Sequence, residues 1–342
     1  MSASHALNVN TLEGLLDSLA GQSLIVLGDV FLDEYVVGRA ERLSREAPVP
    51  VLEFRARRRV PGGGANPAMN AAALGAKASQ IGVVGDDSEA ASVRDLLAGA
   101  GVDVSGLITD PSRPTITKTR IVAEGEQRFP QQLARVDRGS REPLTEAMQA
   151  WVIAEIRRLT VEKKTAAILC SDYRAGLITQ AVADAVRDVA TGHRLLLTAD
   201  TQGELDKYGG FGLVKCNRAE AEAFLGRRLA SDDDVAQAMN EVSEQLDIGT
   251  VLITRGAQGV SVGVRGVDGG CTHIPAANVS EVYDVTGAGD TVIAVATLAL
   301  MAGADPVTAA RLANVAAGLV VRRWGNAVVT RDELREEIGK HR

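Results

Sequence analysis

The run Asp284, Val285, Thr286, Gly287, Ala288, Gly289, Asp290 (DVTGAGD) joins a turn that can hold an anion to a carboxylate that can take a proton. Three small residues in succession leave backbone N–H groups uncovered. The small, apolar run 291–301 after them predicts a buried helix that starts there. Unpaired N–H groups and the helix dipole at such a start attract phosphate. Asp290 then stands where negative charge would gather, positioned to deprotonate a hydroxyl that attacks a phosphoryl group. That is the chemistry of a small-molecule kinase. A Gly-Ala-Gly turn ahead of an apolar helix is also a plain strand-to-helix connection, so the motif gains its meaning from its company.

Four further groups keep that company. In Pro61–Asn66 (PGGGAN), consecutive glycines permit positive φ and close approach by a ligand, and Asn66 offers a donor and an acceptor to a polyol; a flexible turn is the alternative. Asp33 follows the first strand and Gly28–Asp29, where a carboxylate can accept bonds from adjacent sugar hydroxyls or simply be exposed. Asn217 and Glu220 open a helix, spaced either to face a hydrated Mg²⁺ or to form a capping box. Thr254–Gly259 (TRGAQG) is a turn between two strands that either meets nucleotide phosphates, with Arg255 supplying charge, or only closes a hairpin. Asn314, a lone polar residue in an Ala-rich helix, either contacts adenine or is satisfied by a neighbouring loop.

Other chemistries are disfavoured. No lysine follows a Gly-rich turn in the P-loop pattern, no protein-kinase motif pair occurs, and no GxGxxG follows the first strand. The four histidines, His5, His193, His273 and His341, are scattered, which argues against a histidine-based hydrolase. A net charge of −7 carries no basic footprint for nucleic acid. No long apolar stretch or secretory signal appears, and Cys170, Cys216 and Cys271 show no paired spacing, so a reducing cytoplasm and no membrane are expected.

To position these groups, short β-rich runs alternate with amphipathic or Ala-rich segments, which predicts an α/β fold with a mostly parallel sheet covered by helices on both faces. Strands are expected at 24–27, 79–84, 166–170, 195–199, 213–215, 251–254 and 260–264. Helices are expected near 67–74, 89–98, 146–159, 180–190, 218–225, 232–245, 306–321 and 331–340. Two stretches, about 33–60 and 113–138, break the rhythm and read as antiparallel strands outside the main sheet that return to one place as a small β lid. One domain over 1–342 is expected, and an open lid sheet would pair with that of a second copy to form a homodimer.

With these motifs in order, the chain resembles the ribokinase/PfkB family of carbohydrate kinases from about Leu24 onward, and the resemblance implies a ribokinase-like three-layer sandwich. The strings LGDVFLDEYVVG, RLSREAPVPV, PGGGANPAMN, PTITKTR, CSDYRAG and EVYDVTGAGDTV look most like the family's heptose 7-phosphate kinases. The resemblance implies ATP-dependent phosphorylation of a sugar or sugar phosphate, with D-glycero-D-manno-heptose 7-phosphate at its anomeric hydroxyl as the leading acceptor. It implies Asp290 as general base, the N–H groups of Gly287, Ala288 and Gly289 as an anion hole, and Asp33, Gly62, Gly63 and Asn66 as sugar contacts. By the same carry-over, Asn217 and Glu220 organise Mg²⁺ through water, and Asn217, Thr254, Gly256, Gly259 and Asn314 line the ATP site. A monovalent cation such as K⁺ is implied near the anion-hole loop. Where the heptose kinases are expected to carry lysines within SDYxKG and DPKG, this chain has Ala175 and Gln202. Arg45, Arg120, Arg135, Arg138 and Arg174 are candidates to replace them, or are solvated surface charges, and 124–132 reads as an insertion. Two rival readings stay open: a kinase of this family acting on ribose, a fructose phosphate, a nucleoside or another sugar, and a non-catalytic sugar-binding regulator of the same fold.

Overall fold

The computed structural model describes residues 9–125, 128–267, 270–278 and 282–340. His5, His341, Glu281 and part of the 124–132 stretch lie outside the described residues. In chain order the first half holds α1 (Val9–Leu19), β1 (Ser23–Gly28), β2 (Val30–Leu43), β3 (Pro50–Gly63), α2 (Ala65–Ala73), β4 (Lys77–Val84), α3 (Ser88–Gly99), β5 (Asp103–Thr109), β6 (Ile116–Gly125), β7 (Arg128–Arg138) and α4 (Glu146–Glu162). The second half holds β8 (Ala167–Asp172), α5 (Gln180–His193), β9 (Leu196–Thr201), β10 (Leu213–Asn217), α6 (Arg218–Leu225), α7 (Asp232–Leu246), β11 (Thr250–Thr254), β12 (Val260–Val264), β13 (Cys271–Ile274), α8 (Ala288–Met301), α9 (Pro306–Val320) and α10 (Arg331–Gly339).

Nine strands form the main sheet in the order β13-β12-β11-β10-β9-β8-β1-β4-β5, parallel except for β12 and β13 at one edge. The central strands are covered on both faces, which is why they read as unbroken apolar runs such as Ser23–Gly28 (SLIVLG). Alternate residues of β1 feed two separate cores. Leu24 and Val26 pack with α1, α2, α3, α8, α9 and α10, while Ile25 and Leu27 pack with α4, α5 and α7. The result is a three-layer α/β/α sandwich, as the alternation of elements predicts.

The two arrhythmic stretches form a separate four-stranded sheet in the order β3-β2-β6-β7. The β2–β3 and β6–β7 pairs are antiparallel as expected, but β2 and β6 run parallel. The reason is topological: β2 continues from the carboxyl end of β1 and β6 follows β5, and those two strands already point the same way. Because β2 and β6 are in register, Asp33 stands beside Lys118 and Tyr35 beside Arg120, on the face that carries Phe31. Leu43 on β2, Phe54 on β3 and Val136 on β7 leave large apolar side chains exposed on this sheet.

Three elements, α1, β5 and β13, have no counterpart in the sequence reading, and α8 begins three residues before the apolar run that marks it. Among the described residues no helix is long and apolar enough to cross a membrane.

Candidate active site

The carboxyl ends of β8, β9, β10 and β11 open onto a cavity of about 790 Å³, closed on its far side by the start of α8. This is the crevice that a parallel α/β sheet offers to ligands. The apolar sequence of α8 follows from its position, since Asp290 to Ala299 are all buried as it packs against α2, α9, β8 and β9. Its N-cap is Gly287, with φ +79° and no side-chain cap. A Cβ there would fall 2.5 Å from Asn66 Nδ2, so only glycine meets both the backbone angle and the space. Among the described residues the N–H groups of Gly287 and Gly289 meet no acceptor, whereas Ala288 N–H turns back to Val285 O at 3.2 Å. Two of the three expected anion-hole donors are therefore open, and the third closes the turn.

Asp290 is 3% exposed. Its Oδ2 accepts from Asn66 Nδ2 at 3.0 Å, and Tyr173 Oη donates to Oδ1 and Oδ2 at 2.9 and 3.0 Å. Burial first, then the charge of Asp200, pushes its pKa up to about 7, against the pull of Asn66, Lys215 and Tyr173. A carboxylate poised near neutrality is suited to take a proton from a hydroxyl. Asn66 is itself oriented by Asn70, whose Nδ2 donates to its Oδ1 at 3.1 Å, and Thr291 Oγ1 donates to Asn70 Oδ1 at 3.1 Å. This chain of bonds ties α2 to α8 and explains why PGGGAN and DVTGAGD belong together.

Opposite Asp290, Lys215 Nζ donates to both oxygens of Asp200 at 2.8 Å. Burial opposes its charge, but Asp200, with Glu220 and Asp290 adding to it, holds the ammonium above the usual lysine range. A Cβ on Gly289 would lie 2.7 Å from Nζ, so glycine lets the cation approach the first turn of α8. Asn217 and Glu220 form the capping box: Glu220 N–H donates to Asn217 Oδ1 at 2.9 Å and Asn217 N–H to Glu220 Oε2 at 2.6 Å. Both also line the cavity, and Glu220 Oε1 makes no hydrogen bond among the described residues. Burial raises the Glu220 pKa, with Asp200 adding to the rise and the Asn217 N–H and Lys215 opposing it.

Thr254, Gly256, Gly259 and Asn314 line the same cavity. Gly256 (φ +58°) has open space around it, while a Cβ on Gly259 (φ +84°) would strike Ile274 O at 2.1 Å. The first glycine is free for a ligand and the second is held by packing. Asn314 Nδ2 donates to Pro275 O at 2.7 Å, so a neighbouring loop satisfies that amide.

Asp33, Gly62 and Gly63 lie on the small sheet beside this cavity. Asp33 is paired with Arg120, and Asn326 Nδ2 donates to its Oδ2 at 2.6 Å. A Cβ on Gly62 would come within 1.8 Å of Asp33 Oδ2. Of the proposed replacement cations, Arg120 is thus committed to Asp33, Arg135 binds Asp137 at 2.8 Å, Arg138 lies 3.4 Å from both Asp87 and Glu89, and Arg174 is 3.5 Å from Glu204.

Tyr173, Asp200, Lys215 and Asn326 are site residues to which the sequence reading gave no role. A lysine within the apolar strand Leu213–Asn217 (LVKCN) is the one signal that stood in plain view. Tyr173 is set by Asp29, whose carboxylate accepts from the N–H groups of Tyr173, Ala175 and Leu177 at 3.0, 3.0 and 3.2 Å. Burial, reinforced by Asp172, raises the Asp29 pKa to about 6.

The family model for pfkB family carbohydrate kinases matches residues 22–331. The chain belongs to the PfkB family of carbohydrate kinases. Among its relatives, the bifunctional protein HldE of Geobacter metallireducens is 40% identical over 92% of this chain and 62% of its own length. The Hyphomonas neptunium HldE is 38% identical over 96% of this chain and 65% of its own length. This PfkB chain therefore spans a little under two thirds of each. Similar solved structures include the ribokinase of Arabidopsis thaliana complexed with ribose and ATP, at 18% identity, TM-score 0.71 and coverage of 93% of this chain and 99% of that one. Phosphofructokinase-2 of Escherichia coli in complex with potassium gives 20% identity, TM-score 0.76 and 94% and 99% coverage. At such identities these structures speak for the ribokinase-like fold of this PfkB kinase.

Proposed function

We propose that this PfkB kinase transfers the γ-phosphoryl group of ATP, with Mg²⁺, to a hydroxyl of a sugar phosphate, with D-glycero-D-manno-heptose 7-phosphate at its anomeric hydroxyl as the leading acceptor. The observation that carries the reaction type is Asp290: a buried carboxylate near neutral pKa, at an uncapped helix start, between the large cavity and the small sheet. The HldE relatives support the heptose acceptor.

In this reading the acceptor binds between the small sheet and α8, with Asp33, Gly62, Gly63 and Asn66 holding its hydroxyls. Arg120 and Asn326 keep Asp33 aimed, and Gly62 leaves room for it. Asp290 takes the proton of the attacking hydroxyl, and that hydroxyl displaces Tyr173 Oη from the carboxylate. The N–H groups of Gly287 and Gly289 meet charge building on the transferred group, while Lys215 brings a positive charge to the same helix turn. Thr254, Gly256 and Asn314 line the nucleotide's end of the cavity. The donor set fits a hydrated Mg²⁺, since Glu220 lines the cavity and offers one carboxylate oxygen that makes no hydrogen bond among the described residues. When bound, the ion would neutralise phosphate charge, with Glu220 and Asn217 holding it through water. A K⁺ requirement and cytoplasmic action belong to the same proposal.

The small sheet acts as the lid that excludes water over the acceptor. Its exposed Leu43, Phe54 and Val136 are suited to a homodimer in which two such sheets cover one another. A panel of sugars and sugar phosphates, assayed for ADP release with Mg²⁺ present or chelated, tests the function. Turnover is expected with the heptose phosphate and to vanish with chelation. Preference for an unphosphorylated sugar would remove the heptose assignment, and tight sugar binding without any ADP would favour a non-catalytic regulator.

A further inference from the structure

Among the described residues, Arg58, Lys118, Arg120 and Arg135 stand near Asp33 on its face of the small sheet. Arg120 is paired with Asp33 and Arg135 with Asp137, and Arg58 lies over the Trp324 ring. Lys118 differs: among the described residues its ammonium makes no hydrogen bond or ion pair. Its ammonium is seated 4.1 Å from the centroid of Phe31 and 5.4 Å from that of Tyr173. The two rings pack edge to face at 5.2 Å, so they form one wall on which the ammonium rests. Burial lowers the Lys118 pKa, against the pull of Asp33, so the charged form lacks full compensation and would gain from an anion.

We infer that Lys118 is the cation that receives a phosphate ester carried by the acceptor, at a subsite walled by Phe31 and Tyr173. Tyr173 gives the spacing, since its ring faces Lys118 while its hydroxyl touches both oxygens of Asp290. The reacting hydroxyl and the bound phosphate are then separated by about the reach of a tyrosine side chain, a span that a hexose or heptose phosphate also covers. Ala175 and Gln202 leave this chain without cations at two other places, and Arg120, Arg135, Arg138 and Arg174 each lie against a carboxylate. Phosphate bound at Lys118 is a charge-assisted contact in a poorly solvated place, where a single cation discriminates strongly. The inference rests on the acceptor lying beside Asp290, as proposed above.

Lys118→Met keeps an unbranched side chain beside the rings and removes the charge, and Lys118→Arg restores it. Binding of D-glycero-D-manno-heptose 7-phosphate, fructose 6-phosphate and the corresponding unphosphorylated sugars is measured by calorimetry without ATP, alongside steady-state kinetics and thermal melting. The Met variant is expected to bind the preferred sugar phosphate 10- to 100-fold more weakly. Its affinity for the unphosphorylated sugar, its KM for ATP and its melting temperature stay within about twofold or a few degrees. The Arg variant recovers part of the loss. An equal loss for both acceptors, an unchanged affinity for the phosphate, or a parent protein that does not prefer phosphorylated sugars would each overturn the inference. Phosphate-selective binding that depends on Lys118 but yields no ADP would uphold the subsite and defeat the kinase reading. Turnover confined to unphosphorylated sugars would do the reverse.

Discussion

Asp290→Asn separates what Asp290 contributes to chemistry from what it costs the fold. Burial and Asp200 lift its pKa from 3.8 to about 7. The carboxylate is therefore harder to ionise in the folded chain than in the unfolded one. With the folded pKa raised, the protonated form is the stable one: the penalty is absent below the unfolded value and fully developed above about pH 7. A shift of this size corresponds to about 4 kcal/mol at pH 8 and about 2 kcal/mol at pH 5.5. The asparagine removes that penalty but disturbs the bonds from Asn66 and Tyr173, at a cost of about 1 kcal/mol that does not depend on pH. The variant should thus be more stable than the parent at pH 8, and its advantage should shrink by about 2 kcal/mol at pH 5.5. Denaturant unfolding of both proteins at the two pH values measures this. ADP release at pH 8 should fall by roughly 10²- to 10⁴-fold in kcat, with KM for ATP little changed. A stability gap that ignores pH, or a kcat within tenfold of the parent, would refute the reasoning.

Two further expectations follow from neighbouring groups. Tyr173→Phe removes a donor that favours ionised Asp290 in the free enzyme, so the acid limb of the kcat/KM profile, near pH 7 in the parent, should move to higher pH. A pH–rate series reads this, and an unmoved limb would count against the hydrogen bond. Lys215→Met strands the buried Asp200 carboxylate and should destabilise the chain by about 3–5 kcal/mol, with Asp200→Asn added in the same chain recovering most of the loss. Chemical denaturation of the single and double variants is the check.

The layers of the fold were legible because the buried strands β1, β8 and β11 are short apolar runs and helices such as α7 and α9 carry caps, at Ser231 and Asp305. DVTGAGD and PGGGAN stood out because close packing at Gly287, Gly62 and Gly63 leaves no room for a side chain. Asn217 and Glu220 stood out for two reasons at once, and the capping box is the one the folded chain forms. Tyr173 and Asp200 were not legible as site residues because their roles depend on partners brought together only by the folded sheet: Tyr173 meets Asp290 across 117 positions of the chain. The parallel pairing of β2 with β6 escaped for a similar reason, since local pattern predicts hairpins and not the direction in which two hairpins leave a larger sheet. β13 is four residues long and half-exposed, too short to give a period.

The Asp29 carboxylate gives the segment after β8 a standing its irregular backbone would not suggest. Three alternate N–H groups of that segment are fastened to a residue at the end of β1, and β1 and β8 are adjacent strands. Releasing Tyr173 by local opening would strip three bonds from a buried charge at once. The 173–177 segment is thus bound to the opening energy of the central sheet, and its amide hydrogens should exchange with solvent at the pace of strand β1 and not of a surface loop.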